Sequence, residues 1–403
     1  MRKIRNQLLA LGCILAFVAM GYLYVRTWVV QKPFGIILFM SDGMVSRHLT
    51  AARLYAGGAD HHLALEAFPH LALVRNPGRD FAVPDAAAAA TALATGVRVN
   101  HRAIAADARG QSLPSLLETA RAGGRTIGLV TNGPLAAPAS AAFYAHALDG
   151  RDSVELARQF VDRGPLDVAL AGGAADFLPE SSAGRRKDGR DLVAELRALG
   201  CEMVGNKAEL ENAPAYRTGP IVGLFSFGSL PFANQVESGS SQPTLADMVR
   251  RAIVFLQQNR TGYVLVVDAT LVTTAAERNE GERTLAETLA LDQAVATALR
   301  YAGENSLVVA VGKHGTGGLS LNGYPLRQDR GVALLGSNPA GYPYITWGTG
   351  PNGSPATEPA AFQTPSGLNT AEDVIAVGRG KGAERLRGFI DNTVIYEMLR
   401  GAL

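Results

Sequence analysis

The segment GIILFMSDGM, Gly35 to Met44, indicates the fold more clearly than any other part of the chain. Its apolar part, Gly35–Met40, is short and shows no polar alternation, which predicts a strand buried on both faces. Strands of that kind belong to parallel sheets that helices cover on either side. Ser41 and Asp42 follow at the carboxyl end of the predicted strand, where open α/β sheets place their functional groups.

Along the rest of the chain, short apolar runs alternate with longer helical patterns. The runs predict strands at Thr126–Thr131, Val168–Ala171, Tyr263–Asp268 and Leu307–Val311. Periodicity and capping residues predict helices at Thr50–Tyr55, Ala86–Thr95, Leu245–Gln258, Leu285–Tyr301 and Gly388–Leu403. The predicted fold is α/β, with a large, mostly parallel sheet sandwiched by helices. The Pro- and Gly-rich stretch Gly341–Gly367 is expected to form a surface excursion.

The N-terminus predicts a membrane segment. Basic residues at Arg2, Lys3 and Arg5 precede an apolar stretch from Leu8 to Val25. About 18 helical residues rise about 27 Å, which is enough to cross the core of a bilayer. We therefore predict a signal anchor in residues 1–30, with its basic tip in the cytoplasm.

Residues 31–403 are predicted to form one domain on the far side of a bacterial inner membrane, in the periplasm. Cleavage of the N-terminal segment as a signal peptide, after the small residues Ala19 and Gly21, is the alternative, and it predicts a periplasmic or secreted protein.

Composition excludes several classes of protein. With 403 residues, 47% of them hydrophobic, the chain can bury a large core. Its formal net charge is +2 and its basic residues are scattered, so no nucleic-acid partner is predicted. Cys13 and Cys201 are the only cysteines, which excludes a zinc ribbon and a C-x-x-C redox motif.

Several motifs together resemble one known family. Asp42 and its strand resemble the opening of alkaline phosphatases, and DAAAAATALATG, Asp85 to Gly96, resembles the helix that carries their nucleophile. Further similar segments are PASAAFYAH at Pro138–His146, RKDGRDL at Arg186–Leu192, LAETLALD at Leu285–Asp292, TAEDV at Thr370–Val374 and RGFIDNTVIY at Arg387–Tyr396. They follow the family's order from about residue 35 to the end of the chain.

The resemblance implies a phosphomonoester hydrolase with two zinc ions and one magnesium ion at the strand ends. It implies a serine nucleophile, an arginine on the phosphoryl oxygens and a dimer. This sequence departs from that pattern at most functional positions. The serine position is Ala86, and a methyl group cannot attack phosphorus. The remaining positions that differ from the family's ligands are Ala137, Ala139, Asp268, Thr273, Glu277, Lys313 and Asn369.

Asp42 and His314 are unchanged, and Asp268 keeps a carboxylate on a shorter side chain. These three are predicted to be remnants of metal-binding positions. No catalytic residue and no metal cofactor is expected, because zinc requires three or four ligands and Lys313 places an ammonium group among those that remain. Plain structural roles stay open, since Asp42 can cap a turn and a single histidine is often satisfied by backbone groups.

Lys313 supports two hypotheses. It can replace the lost metal and pair with Asp42, which would otherwise be a stranded carboxylate. It can also form a weak anion-binding site with His314 and Arg151, and Arg151 lies one residue beyond the position of the family's phosphate-binding arginine. A solvated surface arginine is the competing interpretation for Arg151.

Three functions are compatible with these residues. The first is a membrane-anchored, catalytically inactive alkaline-phosphatase-like protein that binds or scaffolds another molecule. The second is a residual phosphate or sulfate ester hydrolase that uses Asp42, Asp268, Glu277 and His314 around one metal. The third is a structural partner of an active paralogue, in a homodimer or heterodimer.

Overall fold

The central strand β1, Gly35–Ser41, is buried along its whole length. Ile36, Leu38 and Met40 pack into one hydrophobic core, and Ile37 and Phe39 pack into another. Successive side chains of a strand point to opposite faces, so the two cores lie on the two faces of the sheet. This is the doubly covered strand that the sequence predicts. The computed structural model describes residues 2–28, 32–216, 218–237, 239–323 and 332–403.

β1 lies in the middle of a ten-stranded sheet of the described residues, in the order β15-β2-β14-β8-β1-β7-β3-β4-β6-β5. Its other strands are β2 His70–Arg75, β3 Thr126–Pro134, β4 Val168–Gly172, β5 Glu202–Val204, β6 Ile221–Leu224, β7 Tyr263–Ala269, β8 Leu307–Gly312, β14 Val374–Arg379 and β15 Arg387–Asp391. Every neighbouring pair is parallel except those that β14 forms with β2 and β8. The predicted mostly parallel sheet is confirmed.

Helices cover both faces of this sheet. They are α2 Ser46–Gly57, α3 Ala86–Thr95, α4 Leu116–Ala122, α5 Pro138–Ala141, α6 Ser153–Asp162, α7 Leu192–Ala198, α8 Lys207–Asn212, α9 Leu245–Leu256, α10 Leu271–Ala276, α11 Gly281–Tyr301 and α12 Asn392–Gly401. α9 and α11 pack on one face with Ile37 and Phe39, and α3, α4 and α12 pack on the other. Both faces of the sheet are therefore covered, as the sequence predicts.

The prediction of one helix over Gly388–Leu403 is wrong in its first part. Arg387–Asp391 forms β15, which pairs in parallel with β2, and the helix begins only at Asn392. The contact between β15 and β2 joins segments more than 300 residues apart. The local periodicity of the sequence therefore does not predict this contact.

The Pro- and Gly-rich stretch after residue 340 is more ordered than a simple excursion. It contains β11 Ile345–Gly350 and β12 Ala360–Gln363, which form a small sheet with β10 Ser320–Leu321. Trp347 is fully buried, and its indole nitrogen donates to Glu358 over 3.2 Å. A second small sheet joins β9 Gly315–Thr316 to β13 Asn369–Thr370.

The N-terminal helix α1 spans Arg2–Trp28. Its stretch Arg2–Tyr24 is long and apolar enough to cross a membrane, and none of it is buried against the rest of the protein. A signal anchor and a signal peptide both fit this helix. Residues 1 and 29–31, which the sequence assigns to the anchor and to the start of the domain, lie outside the described residues.

Candidate functional site

Three polar side chains meet at the carboxyl ends of adjacent strands. Asp42 follows β1, Asp268 lies near the end of β7, and Lys313 follows β8. β1 lies between β7 and β8, with Met40 beside Asp268 and Ser41 beside Gly312. Parallel pairing thus brings Asp42 next to two residues that are more than 200 positions away in sequence.

Lys313 lies between the two carboxylates. Its Nζ is 2.7 Å from Asp268 Oδ1 and 3.3 Å from Asp42 Oδ2, and all three side chains are at most 1% exposed. Asn76 donates from Nδ2 to the carbonyl oxygen of Lys313 over 2.6 Å, which holds the backbone at this point. The predicted pair of Lys313 and Asp42 is present, and Asp268 is the nearer partner.

The pKa values of this cluster reflect burial and mutual attraction. Burial alone lowers the pKa of Lys313, but the charges of Asp268 and Asp42 outweigh it and hold that pKa above its usual value. Burial raises the pKa of Asp268, and the negative charge of Asp42 raises it further. The attraction of Lys313 lowers this pKa but does not outweigh the other two effects. The raised pKa of Lys313 means that its ammonium group stays charged at neutral pH, between the two acidic side chains.

Two hydroxyl groups donate hydrogen bonds to the carboxylates and leave Asp42 Oδ1 without a partner. Ser140 Oγ donates to Asp268 Oδ2 over 3.2 Å, and Thr273 Oγ1 donates to Asp42 Oδ2. Ser140 was missed by sequence reasoning, which considered only Ala137 and Ala139 near this point. The hydroxyl next to a lost threonine ligand in the segment PASAAFYAH was the available signal.

His314 is buried beside Asp42. Its Nε2 lies 3.1 Å from Asp42 Oδ1, but neither atom has a hydrogen bond with acceptable geometry. Its Nδ1 lies 3.3 Å from the Gly315 carbonyl oxygen and 3.2 Å from Thr316 Oγ1. Burial lowers the pKa of His314 despite the attraction of Asp42, so the ring is neutral at pH 7.

The residues present do not fit the metal set that the family resemblance implies. Asp42 and His314 offer two unpartnered atoms, and the third side of the site holds the Lys313 ammonium group. Zinc requires three or four close ligands, and an ammonium group repels a divalent cation. Across the described ranges no group of three or more His, Cys, Asp or Glu side chains is placed to hold a metal ion.

The nucleophile position lies at the first residue of α3. Asp85 caps this helix by accepting from Ala88 N over 2.8 Å, and it also accepts from Arg102 N over 2.7 Å. Gly96 ends the helix at φ +72°, where a β-carbon would lie 2.5 Å from the Tyr396 ring. The helix that resembles the family's nucleophile helix is therefore present, and its first residue, Ala86, carries only a methyl group.

Asn369 and Glu277 occupy two further positions where the family resemblance implies metal ligands. Asn369 donates from Nδ2 to the carbonyl oxygen of Pro84 over 3.0 Å, which ties β13 to the residue before the α3 cap. Glu277 ends α10 and is half-buried. Burial and the nearby charge of Asp42 raise the pKa of Glu277.

The anion site of Arg151 and Lys313 remains a prediction. Arg151 is 68% exposed, and its Nε lies 2.9 Å from both carboxylate oxygens of Asp149. Lys313 is buried against Asp42 and Asp268. Each cation therefore already has carboxylate partners, with which an anion has to compete.

His48, which has no metal-ligand spacing in the sequence, is a second buried histidine near the ends of the strands. It lies in α2, is 1% exposed, and neither ring nitrogen has a hydrogen-bond partner among the described residues. Burial, and then the charge of Arg47, lowers its pKa to about 4, so the ring is neutral. Its ring packs on Gly43, where φ is +78° and a β-carbon would lie 3.1 Å from Nε2.

Comparison with known proteins agrees with the geometry of the fold. Residues 35–341 match the family model described as alkaline phosphatase. Alkaline phosphatase 4 of Bacillus subtilis (strain 168) is 30% identical over 299 residues, which cover 71% of this chain and 62% of the relative. The chain thus spans less than two thirds of that relative's length. Alkaline phosphatase of Escherichia coli (strain K12) is 30% identical over 328 residues, or 69% of each chain.

A solved structure extends the likeness to nearly the whole molecule. The crystal structure of Thermus thermophilus alkaline phosphatase superposes with a TM-score of 0.75 at 25% identity. The match covers 93% of this chain and 92% of the Thermus chain. Both the matched family model and the Escherichia coli relative cover more than two thirds of this chain. The chain therefore belongs to the alkaline phosphatase family.

Proposed function

We propose that this chain is a catalytically inactive alkaline-phosphatase-like protein, held in a membrane by α1, with a binding or scaffolding role outside the cytoplasm. The position of Lys313 carries this proposal. Its ammonium group lies 2.7 Å from Asp268 and 3.3 Å from Asp42, between two carboxylates that the family resemblance assigns to metal binding. A lysine in that place neutralises the carboxylates without a metal.

Electrostatics favours the lysine over a metal ion. A charged ammonium about 4 Å from a divalent cation opposes it by several kcal/mol at an effective dielectric of about 20. Lys313 is fully buried, so solvent does not screen this repulsion as it would at the surface. The raised pKa of Lys313 keeps the charge in place over the physiological pH range.

The chain also lacks an activated nucleophile at the start of α3. Ala86 has no hydroxyl group, and the nearby hydroxyls of Ser140 and Thr273 donate to Asp268 and Asp42. A hydroxyl becomes a strong nucleophile when a base or a metal removes its proton. Asp42 is shared between Thr273 and Lys313, which weakens it as a base.

Hydrolysis of an aryl phosphate with added zinc and magnesium tests the proposal. We expect no turnover above the buffer background and far less than one zinc ion per chain by metal analysis. Ala86→Ser should be equally inactive, because a hydroxyl without a metal remains a poor nucleophile. The Escherichia coli relative, assayed in parallel, is the positive control.

Turnover that disappears in Asp42→Ala would contradict the proposal. It would favour the residual hydrolase, with water attacking at a site built from Asp42, Asp268, Glu277 and His314. The same measurement with an aryl sulfate covers the second ester class of that alternative. One bound metal ion per chain without turnover would agree with an inactive protein. It would contradict the proposal that Lys313 replaces the metal.

A further inference from the structure

We propose that the edge of the sheet opposite the candidate site rests on anionic lipid headgroups of the membrane that holds α1. This edge, where β1, β3, β7 and β8 begin, is called the amino edge below. Contact there would orient the domain so that Asp42 and Lys313 face away from the membrane. The inference rests on the anchor in the proposed function, and not on the loss of catalysis.

Chain length keeps the amino edge close to the end of α1. Six residues separate Trp28, the last residue of α1, from Gly35, the first residue of β1. An extended chain advances about 3.5 Å per residue, so β1 begins within about 25 Å of the end of α1. β1 then runs for seven residues, about 23 Å, toward the site. A membrane crossed by α1 therefore lies on the side of the amino edge.

Exposed basic side chains are concentrated at this edge. Lys32 precedes β1 and donates from Nζ to the Tyr301 carbonyl oxygen over 2.8 Å, at the end of α11. Arg379 ends β14 beside Val308, near the start of β8. The exposed cations of the amino edge are Lys32, Arg260, Arg300, Lys381 and Arg400.

Acidic side chains at the amino edge are fewer. Glu304 precedes β8, Asp167 precedes β4, and Glu384 follows β14. Glu397 lies 3.2 Å from Arg385, so that pair adds no net charge. The amino edge therefore carries an excess of positive charge.

The rest of the domain does not share this charge. Of the 38 basic residues, four lie in the first 30 positions, which leaves 34 against 36 acidic residues. Residues 31–403 thus have a formal net charge of −2. Positive charge is therefore concentrated at the amino edge of a domain that is slightly acidic as a whole. Such a charge distribution orients a protein on a charged surface.

A groove at this edge suits a molecule with an anionic head and an apolar body. It has a volume of about 450 Å³ and lies between the starts of β1 and β3, the end of β14 and the end of α12. Phe34, Met398 and Ala402 form its apolar part. Its charged lining residues are the cations Arg125, Lys381 and Arg385 and one carboxylate, Glu384, so positive charge exceeds negative. Arg125 also donates to the Leu403 carbonyl oxygen over 2.7 Å, which fixes its position.

The expected attraction is modest for each residue but sufficient for an anchored domain. A lysine or arginine near an anionic lipid surface strengthens membrane association about fivefold. The effect is screened beyond about 8 Å at physiological salt, so only the residues of the facing edge contribute. Because α1 already holds the domain at the surface, the contact is intramolecular and needs little affinity.

The full chain in lipid nanodiscs tests this inference. One set of discs contains phosphatidylcholine alone, and in the other about a third of the lipid is anionic phosphatidylglycerol. We expect amide hydrogen exchange in residues 379–386 and 398–403 to be several-fold slower in the anionic discs. High salt should remove the difference. The variant Arg260→Glu with Lys381→Glu should remove it as well.

The matched control reverses two charges near the other end of the strands, as Arg109→Glu with Arg151→Glu, and should keep the difference. Equal exchange in both kinds of disc, with the chain retained by the discs, would overturn the inference. A chain that the discs do not retain would overturn both the anchor and this inference. Neither result changes the outcome of the phosphatase assay, so the two proposals can fail separately.

Discussion

At the residue scale, Lys313 has the largest effect on the chemistry of the site. It stands where the family resemblance implies an aspartate that binds metal. Two buried carboxylates without a counter-ion would be unstable, because each charge has lost its hydration. Asp42 and Asp268 are both buried, and the Lys313 ammonium group lies within 3.3 Å of each. Ala86 by itself would be a weaker argument, since a single lost hydroxyl leaves a metal site standing.

Removal of the ammonium group tests this role of Lys313. Lys313→Ala should lower the free energy of unfolding by about 3–5 kcal/mol, because two buried carboxylates lose their opposite charge and keep only hydroxyl partners. Zinc should raise the melting temperature of this variant and leave the parent protein unchanged, since Asp42, Asp268 and His314 would then form a three-ligand set. Thermal unfolding with and without zinc measures both effects.

The double variant Asp268→Asn with Lys313→Met is the control for that experiment. It removes one buried charge of each sign, so it should regain a large part of the stability lost in Lys313→Ala. A Lys313→Ala protein as stable as the parent would show that Lys313 does not compensate the carboxylates.

At the element scale, α11 carries a buried carboxyl group that couples stability to pH. Glu287 is 2% exposed and accepts from Ala233 N over 2.6 Å and from Asn132 Nδ2 over 2.9 Å. Burial outweighs these two hydrogen bonds and raises the pKa of Glu287 to about 7. α11 therefore binds a proton in the folded state at a pH where the unfolded chain has released it.

The sign of this coupling follows from the raised pKa. The protonated carboxyl group stabilises the fold fully below the unfolded value of 4.5, and that contribution is lost as the pH rises to about 7. We expect Glu287→Gln to gain about 3 kcal/mol relative to the parent between pH 4.5 and 8. Urea unfolding of both proteins across this range measures it. A constant difference between them would exclude Glu287 as the titrating group.

At the scale of the whole molecule, α1 and the domain have different environments. The stretch Arg2–Tyr24 of α1 is apolar enough to cross a membrane and is not buried, whereas both faces of the sheet are covered. The cores on the two faces of the sheet contain no residue of Arg2–Tyr24. The carboxyl ends of the strands hold the buried ion cluster, whereas the exposed amino edge carries excess positive charge.

Membrane fractionation distinguishes an anchor from a cleaved signal peptide. Expressed in Escherichia coli, the full chain should remain in the membrane fraction after an alkaline carbonate wash. Protease added to spheroplasts should degrade the domain, because the basic tip of α1 directs the domain outward. A soluble periplasmic product that begins near residue 22 would establish cleavage instead.

Several features could be predicted from the sequence because they depend on neighbouring residues. Unbroken apolar runs identified β1 and β7 as covered strands, and Asp85 and Gly96 marked the ends of α3. The absence of a hydroxyl at Ala86 needs no structure at all. The start of α12 was misplaced because β15 forms only through pairing with β2, a contact between distant segments.

The partners inside the site depended on tertiary structure. Sequence predicted that Lys313 pairs with Asp42, but the nearer carboxylate belongs to Asp268, and Ser140 completes the cluster. Strand order decides which strand ends become neighbours, and here β1 lies between β7 and β8. The sequence alone thus determined which chemical groups the site retains, and only the parallel pairing of distant strands decided that an ammonium group lies between its two buried carboxylates.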